Sequence, residues 1–170
     1  MAASLIGSKF PSANRKTAFT CSLAPAGVGL AAGGARQSTM ISNVSGITTD
    51  VGFPAAMVYI KIKSGGVAPT AGKVYEVYLL RGDDPSSSAY RTDGAGASDA
   101  AITIENAQLL GTIVVTNNAA KNFFGEFDTA PLGPLGPEWG IAIKNATDQS
   151  LDTTESNHLK EFSYYVPEAQ

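Results

Sequence analysis

Apolar and polar residues alternate along several stretches of the chain, and the clearest example is Met57–Lys63. Val58, Ile60 and Ile62 fall on one side of an extended backbone there, and the residues between them are polar or amphipathic. Successive side chains of a β-strand point to opposite faces of its sheet. The period of two therefore predicts a half-buried strand whose apolar face lies against a core.

Eight such stretches follow one another, separated by segments rich in Gly, Pro, Ser and Asp. In Lys73–Arg81 both faces are apolar or aromatic, which is typical of a central strand covered on both sides or of one that faces a partner chain. No stretch has the 3.6-residue period of a helix of three turns. Short, regularly spaced strands predict an all-β chain, specifically a single antiparallel β-sandwich, jelly-roll-like, with about eight strands. The predicted strands are Lys16–Leu23, Arg36–Ser42, Ala55–Lys63, Lys73–Arg81, Leu109–Thr116, Asn122–Asp128, Glu138–Asn145 and Lys160–Val166.

The segments that lack a regular apolar–polar pattern indicate how the chain divides into an arm and a domain. Residues 1–14 lack any sustained pattern and predict an extended N-terminal arm, followed by a β-sandwich domain at 15–170. The Gly-rich segment Pro25–Ala35 is expected to pack closely on other backbone. Gly82–Ala100 is the longest stretch without periodicity, and loops of that length in a compact domain are usually functional or mobile.

Composition narrows the function classes. The single cysteine, Cys21, excludes an intramolecular disulfide, and its place in an alternating run predicts a small buried hydrophobe. No run approaches the roughly 20 apolar residues of a transmembrane helix, so no membrane partner is expected. The N-terminus lacks a basic region followed by an apolar one, and we expect no export by the general secretory route.

Charge is distributed unevenly. The 170 residues have a net charge of −3, but residues 1–49 contain four basic residues and no acidic one. The remaining residues therefore carry −7. A basic leading segment on an acidic body can steer association with an acidic surface, or can simply be a polar arm. The basic residues are too dilute for a nucleic-acid patch, so no direct nucleic-acid partner is expected.

Four segments together resemble small virion proteins of tailed bacteriophages that are encoded among the head genes. They are Val74–Gly82, Thr92–Ile104, Leu110–Thr116 and Phe127–Asn145, and the resemblance spans roughly residues 36–166. Similar proteins serve as capsid cement or decoration proteins, often as trimers with a β-sandwich fold. The resemblance implies a structural protein of the capsid exterior, made in the host cytoplasm, that binds the major capsid protein and itself, as a homotrimer. It implies no enzyme activity, no cofactor and no catalytic residue.

The arm is the predicted contact with the capsid or a neighbouring subunit, because an extended segment can clamp onto a partner by strand addition. Lys9, Phe10, Arg15 and Lys16 are the predicted interface residues. The alternative function is a head-fibre or tail-associated β-module that binds host surface glycans. Aromatic side chains on a flat outer surface would serve either function, since they stack on sugars and are enriched at protein interfaces. The aromatic candidates are Tyr59, Tyr75, Tyr78, Tyr164 and Tyr165, with Trp139 expected near a rim.

Few residues are candidates for ligand or proton chemistry. Four aspartates of the long loop could gather around Ca²⁺, although their spacing fits no EF-hand, and solvated turn residues are the favoured interpretation. Glu126 and Asp128 alternate on one strand face and could join a third carboxylate in glycoside hydrolysis, but surface residues are favoured here too. His158, the only histidine, lies in a polar loop and is expected at the surface. The loop aspartates are Asp83, Asp84, Asp93 and Asp99.

Overall fold

Two antiparallel sheets carry most of the regular structure of the protein, of which 44% is strand. The structure is a computed structural model and describes residues 6–9, 16–43, 52–83 and 91–169. The described residues form eleven strands: β1 (Ile6–Lys9), β2 (Thr17–Ala18), β3 (Ala35–Gln37), β4 (Ile41–Ser42), β5 (Ala55–Lys63), β6 (Val74–Gly82), β7 (Ala100–Ala101), β8 (Gln108–Val114), β9 (Asn122–Asp128), β10 (Glu138–Asn145) and β11 (Leu159–Ala169). Short 3₁₀ turns lie at Pro25–Gly27, Thr92–Gly94, Ala130–Leu132 and Glu155–Asn157.

The strand order is that of a jelly roll, as predicted. Sheet 1 has the order β1-β11-β5-β9, with β2 also paired to β11; sheet 2 has the order β7-β3-β10-β6-β8, with β4 also paired to β10. Strands β1 and β2 act as one interrupted strand, and so do β3 and β4. Without the two-residue β7, eight strands remain, and numbering them in chain order gives sheets of order 1-8-3-6 and 2-7-4-5. This is the double Greek key of the jelly roll.

The core lies between the two sheets. The alternation in β5 places Val58, Ile60 and Ile62 inward, where at most 1% of each residue is exposed. Sheet 2 supplies Ile141 and Ile143 from the opposite side. Burial of a large aliphatic side chain contributes about 1.5–3 kcal/mol, so this shared core is the main stabilising feature of the sandwich.

Trp139 lies at the centre of the core, and the prediction that it sits near a rim is wrong. The residue is fully buried, and its ring meets those of Phe19 and Phe162 edge-to-face at centroid distances of 5.3 and 5.0 Å. It faces inward because it shares a face of β10 with Ile141 and Ile143, which the sequence pattern does show. Its indole Nε1–H donates to the Tyr164 hydroxyl at 2.8 Å, so burial leaves no polar group unsatisfied.

A second, smaller apolar cluster covers the outer face of sheet 2. Leu80 of β6 and Ala142 of β10 pack there against Ala95, Ile102 and Ile104. The segment 91–107 therefore lies across this sheet, and β6 is buried on both sides, as predicted for Lys73–Arg81. No comparable apolar cluster is described on the outer face of sheet 1, which is buried near Ala55 and Tyr165 and exposed near Glu126 and Phe124.

Two strand predictions are corrected. The predicted strand Lys16–Leu23 is paired only over β2, although Phe19, Cys21 and Leu23 alternate inward as expected. The alternation in the predicted strand Lys160–Val166 places Phe162, Tyr164 and Val166 on its inward side, but Val166 is 37% exposed. The cause is the register of β11, because its last residue paired with β5 is Tyr165, and Val166 extends beyond the edge of the core.

The Gly-rich segment Pro25–Ala35 packs tightly on backbone of this same chain. A Cβ atom at Gly29 would lie 2.0 Å from the carbonyl oxygen of Leu151, closer than any van der Waals contact allows. Leu151 N–H also donates to Leu30 O at 3.1 Å. The predicted close approach is therefore confirmed, and glycine is needed there for lack of space.

Candidate interaction surface

The outer face of sheet 1 presents two neighbouring rows of side chains in register. In one row Tyr59 of β5 lies between Glu126 of β9 and Glu161 of β11. Directly opposite residues of antiparallel strands have Cβ atoms about 4.5–5.5 Å apart, so both carboxylates flank the Tyr59 side chain. Among the described residues, neither carboxylate has a cation within ion-pair distance, and the row forms an acidic strip on this face.

The next row is apolar with one positive charge. Lys61 lies between Phe124 of β9 and Leu159 of β11. Phe124 is 69% exposed, the highest value among the large hydrophobic residues that the structure describes. A single exposed phenylalanine is ordinary, but this one lies on the outer sheet face at a strand edge, since β9 pairs with β5 alone among the described strands.

Lys16 is the one predicted interface residue whose side chain the structure places. It is exposed, and its Nζ atom lies 4.0 Å from the centre of the Tyr59 ring. A cation over an aromatic face contributes about 0.5–1 kcal/mol at an exposed site. The Lys16 side chain therefore reaches over the outer face of sheet 1, next to the acidic strip. Phe10 and Arg15 lie outside the described residues.

Lys9 is the last residue of β1, which pairs antiparallel with the end of β11. The register joins Ile6 to Ala169 and Lys9 to Val166. This part of the predicted arm is therefore held by main-chain hydrogen bonds at the edge of sheet 1. The outer face of sheet 1 and the paired β1 together form the candidate interaction surface.

The acidic residues of the long loop are separated from one another by the structural contacts they make. Asp93 accepts hydrogen bonds from the backbone N–H groups of Glu105 (3.1 Å), Asn106 and Ala107 (3.1 Å). Asp93 has a positive φ of 60°, a conformation that aspartate tolerates better than most residues. Its carboxylate holds the turn at 104–107 against the start of the segment that covers sheet 2.

Asp99 is used elsewhere in the same covering segment. Its carboxylate pairs with Arg36 at 2.6 Å and accepts the backbone N–H of Ser22 at 2.9 Å. Gln37 strengthens the contact, since its amide donates to the carbonyl oxygens of Gly96 and Ser98, each at 2.7 Å. No group of three His, Cys, Asp or Glu side chains able to hold a metal occurs among the described residues, which exclude Asp84.

His158 is buried, so the prediction that it lies at the surface is wrong. Its Nδ1 atom accepts a hydrogen bond from Lys63 N–H at 3.3 Å, and its Nε2 atom lies 3.1 Å from the carbonyl oxygen of Asp152. These partners fit the neutral ring with its proton on Nε2. Burial lowers the pKa of His158, which keeps the ring neutral. Its role is to join the end of β5 to the loop before β11.

The neighbouring polar residues are also used internally. Lys160 is only 7% exposed and pairs with the Glu155 carboxylate, whose other oxygen accepts the Ala24 N–H at 2.6 Å. Cys21 lies in the core as predicted, and burial raises the pKa of its thiol to about 12. A thiol that stays protonated is a poor nucleophile.

Glu126 and Asp128 face outward from β9, as predicted. Asp128 accepts hydrogen bonds from the Tyr165 hydroxyl and from Ala130 N–H. Burial and the bond to Asp128 raise the pKa of Tyr165 to about 12. The residue directly opposite Glu126 is Tyr59, which has no carboxylate. The third carboxylate that the hydrolytic hypothesis requires would be Glu161, which lies one strand further, on β11.

The predicted aromatic residues do not lie in one outward row. Tyr75 and Trp139 are in the core, and Tyr78 is half-buried under the covering segment with its hydroxyl bonded to Glu76 at 2.7 Å. Tyr164 stacks on Phe53 at a centroid distance of 4.5 Å and accepts the Trp139 indole N–H. Tyr59 and Tyr165 lie on the outer face of sheet 1, but Tyr165 is buried there and its hydroxyl donates to Asp128. Sequence reasoning missed Phe124, whose single exposed position in an alternating strand gives no sign of being unusual.

Comparison with known proteins identifies no relative: no family model, curated protein or solved structure matches the chain. In the part of the chain that the structure describes, no helix is long and apolar enough to span a membrane. The fold and the described surface define the protein as a jelly-roll β-sandwich with a charged outer sheet face and an N-terminal strand at its edge.

Proposed function

We propose that this chain is a structural protein of a tailed-bacteriophage virion, namely a capsid cement protein. In this role a homotrimer binds the major capsid protein on the outside of the head and stabilises the shell. A cement protein covers the junctions between capsomers, which requires a rigid body and an extended segment that holds a neighbour.

The observation that carries the proposal is the placement of the N-terminal segment. β1 is attached to the body through main-chain pairing at a sheet edge, and the Lys16 side chain reaches over Tyr59 on the outer face of sheet 1. Main-chain pairing at an edge is how extended segments grip another protein, because it needs no particular side chains. β1 and the exposed part of the outer face of sheet 1, at Glu126 and Phe124, form the proposed contact surface.

The body has the rigidity that the role demands. Several polar side chains of the long loop and of the 152–160 region are engaged in internal bonds, such as Asp93 with the 105–107 backbone and His158 with Lys63. Three of the segments that resemble phage head proteins form or overlap neighbouring strands of sheet 2. In the order β10-β6-β8, they are the end of Phe127–Asn145, Val74–Gly82 and Leu110–Thr116. The segments that resemble phage head proteins thus contribute three neighbouring strands of one sheet.

Deleting residues 1–14 tests the proposal. The shortened protein should keep its fold, because the described core lies entirely within the body, and should lose its binding to capsids. Folding is measured by thermal unfolding, and binding by co-sedimentation with empty capsid shells. A shortened protein that binds shells as tightly as the full chain would disprove the role of the arm. A full chain that ignores shells but binds a glycan array would favour the tail or fibre function.

A further inference from the structure

The edge of β11 carries two short partners that run in the same direction with a gap between them. Lys9 at the end of β1 is opposite Val166, and Thr17 at the start of β2 is opposite Phe162. Seven residues, 10–16, therefore connect two points that are separated on β11 by only three residues, 163–165. A strand that simply continued along the edge would need three, so the connection has four residues more than the fold requires.

The pairing between β1 and β11 lies beyond the rest of sheet 1. The last pair between β11 and β5 is Tyr165 with Ala55, and Val166–Ala169 has β1 as its only strand partner among the described residues. A two-stranded ribbon is marginally stable on its own in water. The end of β11 therefore gains little from the core and depends on whichever strand occupies its edge.

The connection is long enough to let that strand come from elsewhere. Seven extended residues span at most about 25 Å, whereas four residue steps along β11 cover only about 13 Å. The excess of about 10 Å is comparable with the distance between packed sheets. A second copy of the chain has the same β1 sequence, so its strand would make the same main-chain hydrogen bonds at the same register.

We propose that β1 is exchanged between subunits: in the oligomer, Ile6–Lys9 of each chain pairs with Val166–Ala169 of a neighbouring copy. This inference rests on the self-association in the proposed function and names the contact that produces it. The exchange is directional, from the N-terminal segment of one subunit to the end of β11 in the next, and such a contact closes into a ring when the rotation between subunits fits. It converts a marginal ribbon within one chain into a link between chains.

A designed disulfide distinguishes the two arrangements. Gly7→Cys and Glu168→Cys are introduced together in a Cys21→Ala background, which removes the native thiol. Gly7 and Glu168 are directly opposite in the register, where Cα atoms of antiparallel strands are about 4.5–5.5 Å apart. This distance suits a disulfide. The full-length protein is oxidised as the intact oligomer and then run on a denaturing gel without reductant.

Exchange predicts covalently linked chains, from dimers up to a closed ring, all converted to monomer by reductant. The matched control is the pair Lys61→Cys and Leu159→Cys, also directly opposite but inside the body, which should give only monomer with an internal disulfide. A Gly7–Glu168 link formed within single chains, no link at all, or a protein that is monomeric at every concentration would overturn the exchange.

Co-sedimentation of the same preparation with capsid shells keeps the two proposals separate. Linked chains that ignore shells would support exchange and contradict the cement function. Shell-bound protein whose disulfides all lie within single chains would support the cement function and contradict exchange.

Discussion

Arg91 and Glu138 form a buried ion pair with two hydrogen bonds, from Nε to Oε2 at 2.7 Å and from Nη2 to Oε1 at 3.0 Å. Their side chains are only 5% and 4% exposed. The pair fixes the start of the segment 91–107 to the first residue of β10. Gly82 leaves the necessary space, because a Cβ atom there would lie 2.4 Å from Glu138 Oε2.

Removing one partner of this pair should be strongly destabilising. Arg91→Met leaves the Glu138 carboxylate buried without its cation, which costs about 3–5 kcal/mol of unfolding free energy. The double variant Arg91→Met with Glu138→Leu should recover a large part of that loss, since no unpaired charge remains. Urea denaturation measures both.

The exposed pair between Lys144 and Glu76 provides the control. Lys144→Met should change the unfolding free energy by no more than about 1 kcal/mol, because water screens a pair at the surface. A similar loss for Arg91→Met and Lys144→Met would show that the buried pair does not stabilise the covering segment.

A second stability prediction concerns Phe127, whose ring fills the space between β8 and β9. A Cβ atom at Gly111 would lie 2.3 Å from this ring, and one at Gly125 would lie 2.6 Å from it. Gly111→Ala should therefore overpack the site and cost about 1–3 kcal/mol. Adding Phe127→Leu should recover part of the loss. Gly66→Ala, where a new Cβ has nothing within 4 Å, is the control and should be close to neutral.

Stability should also depend on the protonation of His158. Burial holds its folded-state pKa below the ordinary value of 6.5, so the unfolded chain binds a proton more readily. The contribution is fully present above pH 6.5 and is lost as the pH falls through that value toward the folded-state pKa. Unfolding free energies measured from about pH 8 down to about pH 5 should show this decline.

The variant His158→Gln isolates the effect, since His158 is the only histidine of the chain. Its stability should be lower at neutral pH and flatter across the same interval. Asp152 does not interfere, because hydrogen bonds from Asn157 and the Thr154 backbone lower its pKa to about 2, far from this range. Parallel pH profiles for the two proteins would contradict the assigned role of His158.

The sequence predicts the sandwich because the pattern that specifies each strand lies within a few consecutive residues. The alternation of Val58, Ile60 and Ile62 specifies which face of β5 is buried, and the shared side of Trp139 and Ile141 does the same for β10. Regular strand spacing then leaves few topologies, and the jelly roll is among them. These features depend on neighbours one or two residues apart, so a single sequence shows them.

The contacts of the candidate site are harder to predict, because they join residues that are far apart in the sequence. Arg91 finds its partner 47 residues away at Glu138, and Asp99 finds Arg36 at a separation of 63. Polar composition alone therefore suggested a loop where the structure has an ordered cover for sheet 2. His158 was misplaced for the same reason, since Lys63, its hydrogen-bond donor, is 95 residues away.

The number of copies of this chain in each virion tests the cement function most directly. Phage particles are separated into heads and tails, and the amount of this protein is compared with that of the major capsid protein in each fraction. The proposed function predicts that it fractionates with heads in a fixed, high ratio to the major capsid protein. A few copies per particle, found with tails or at a single vertex, would contradict it.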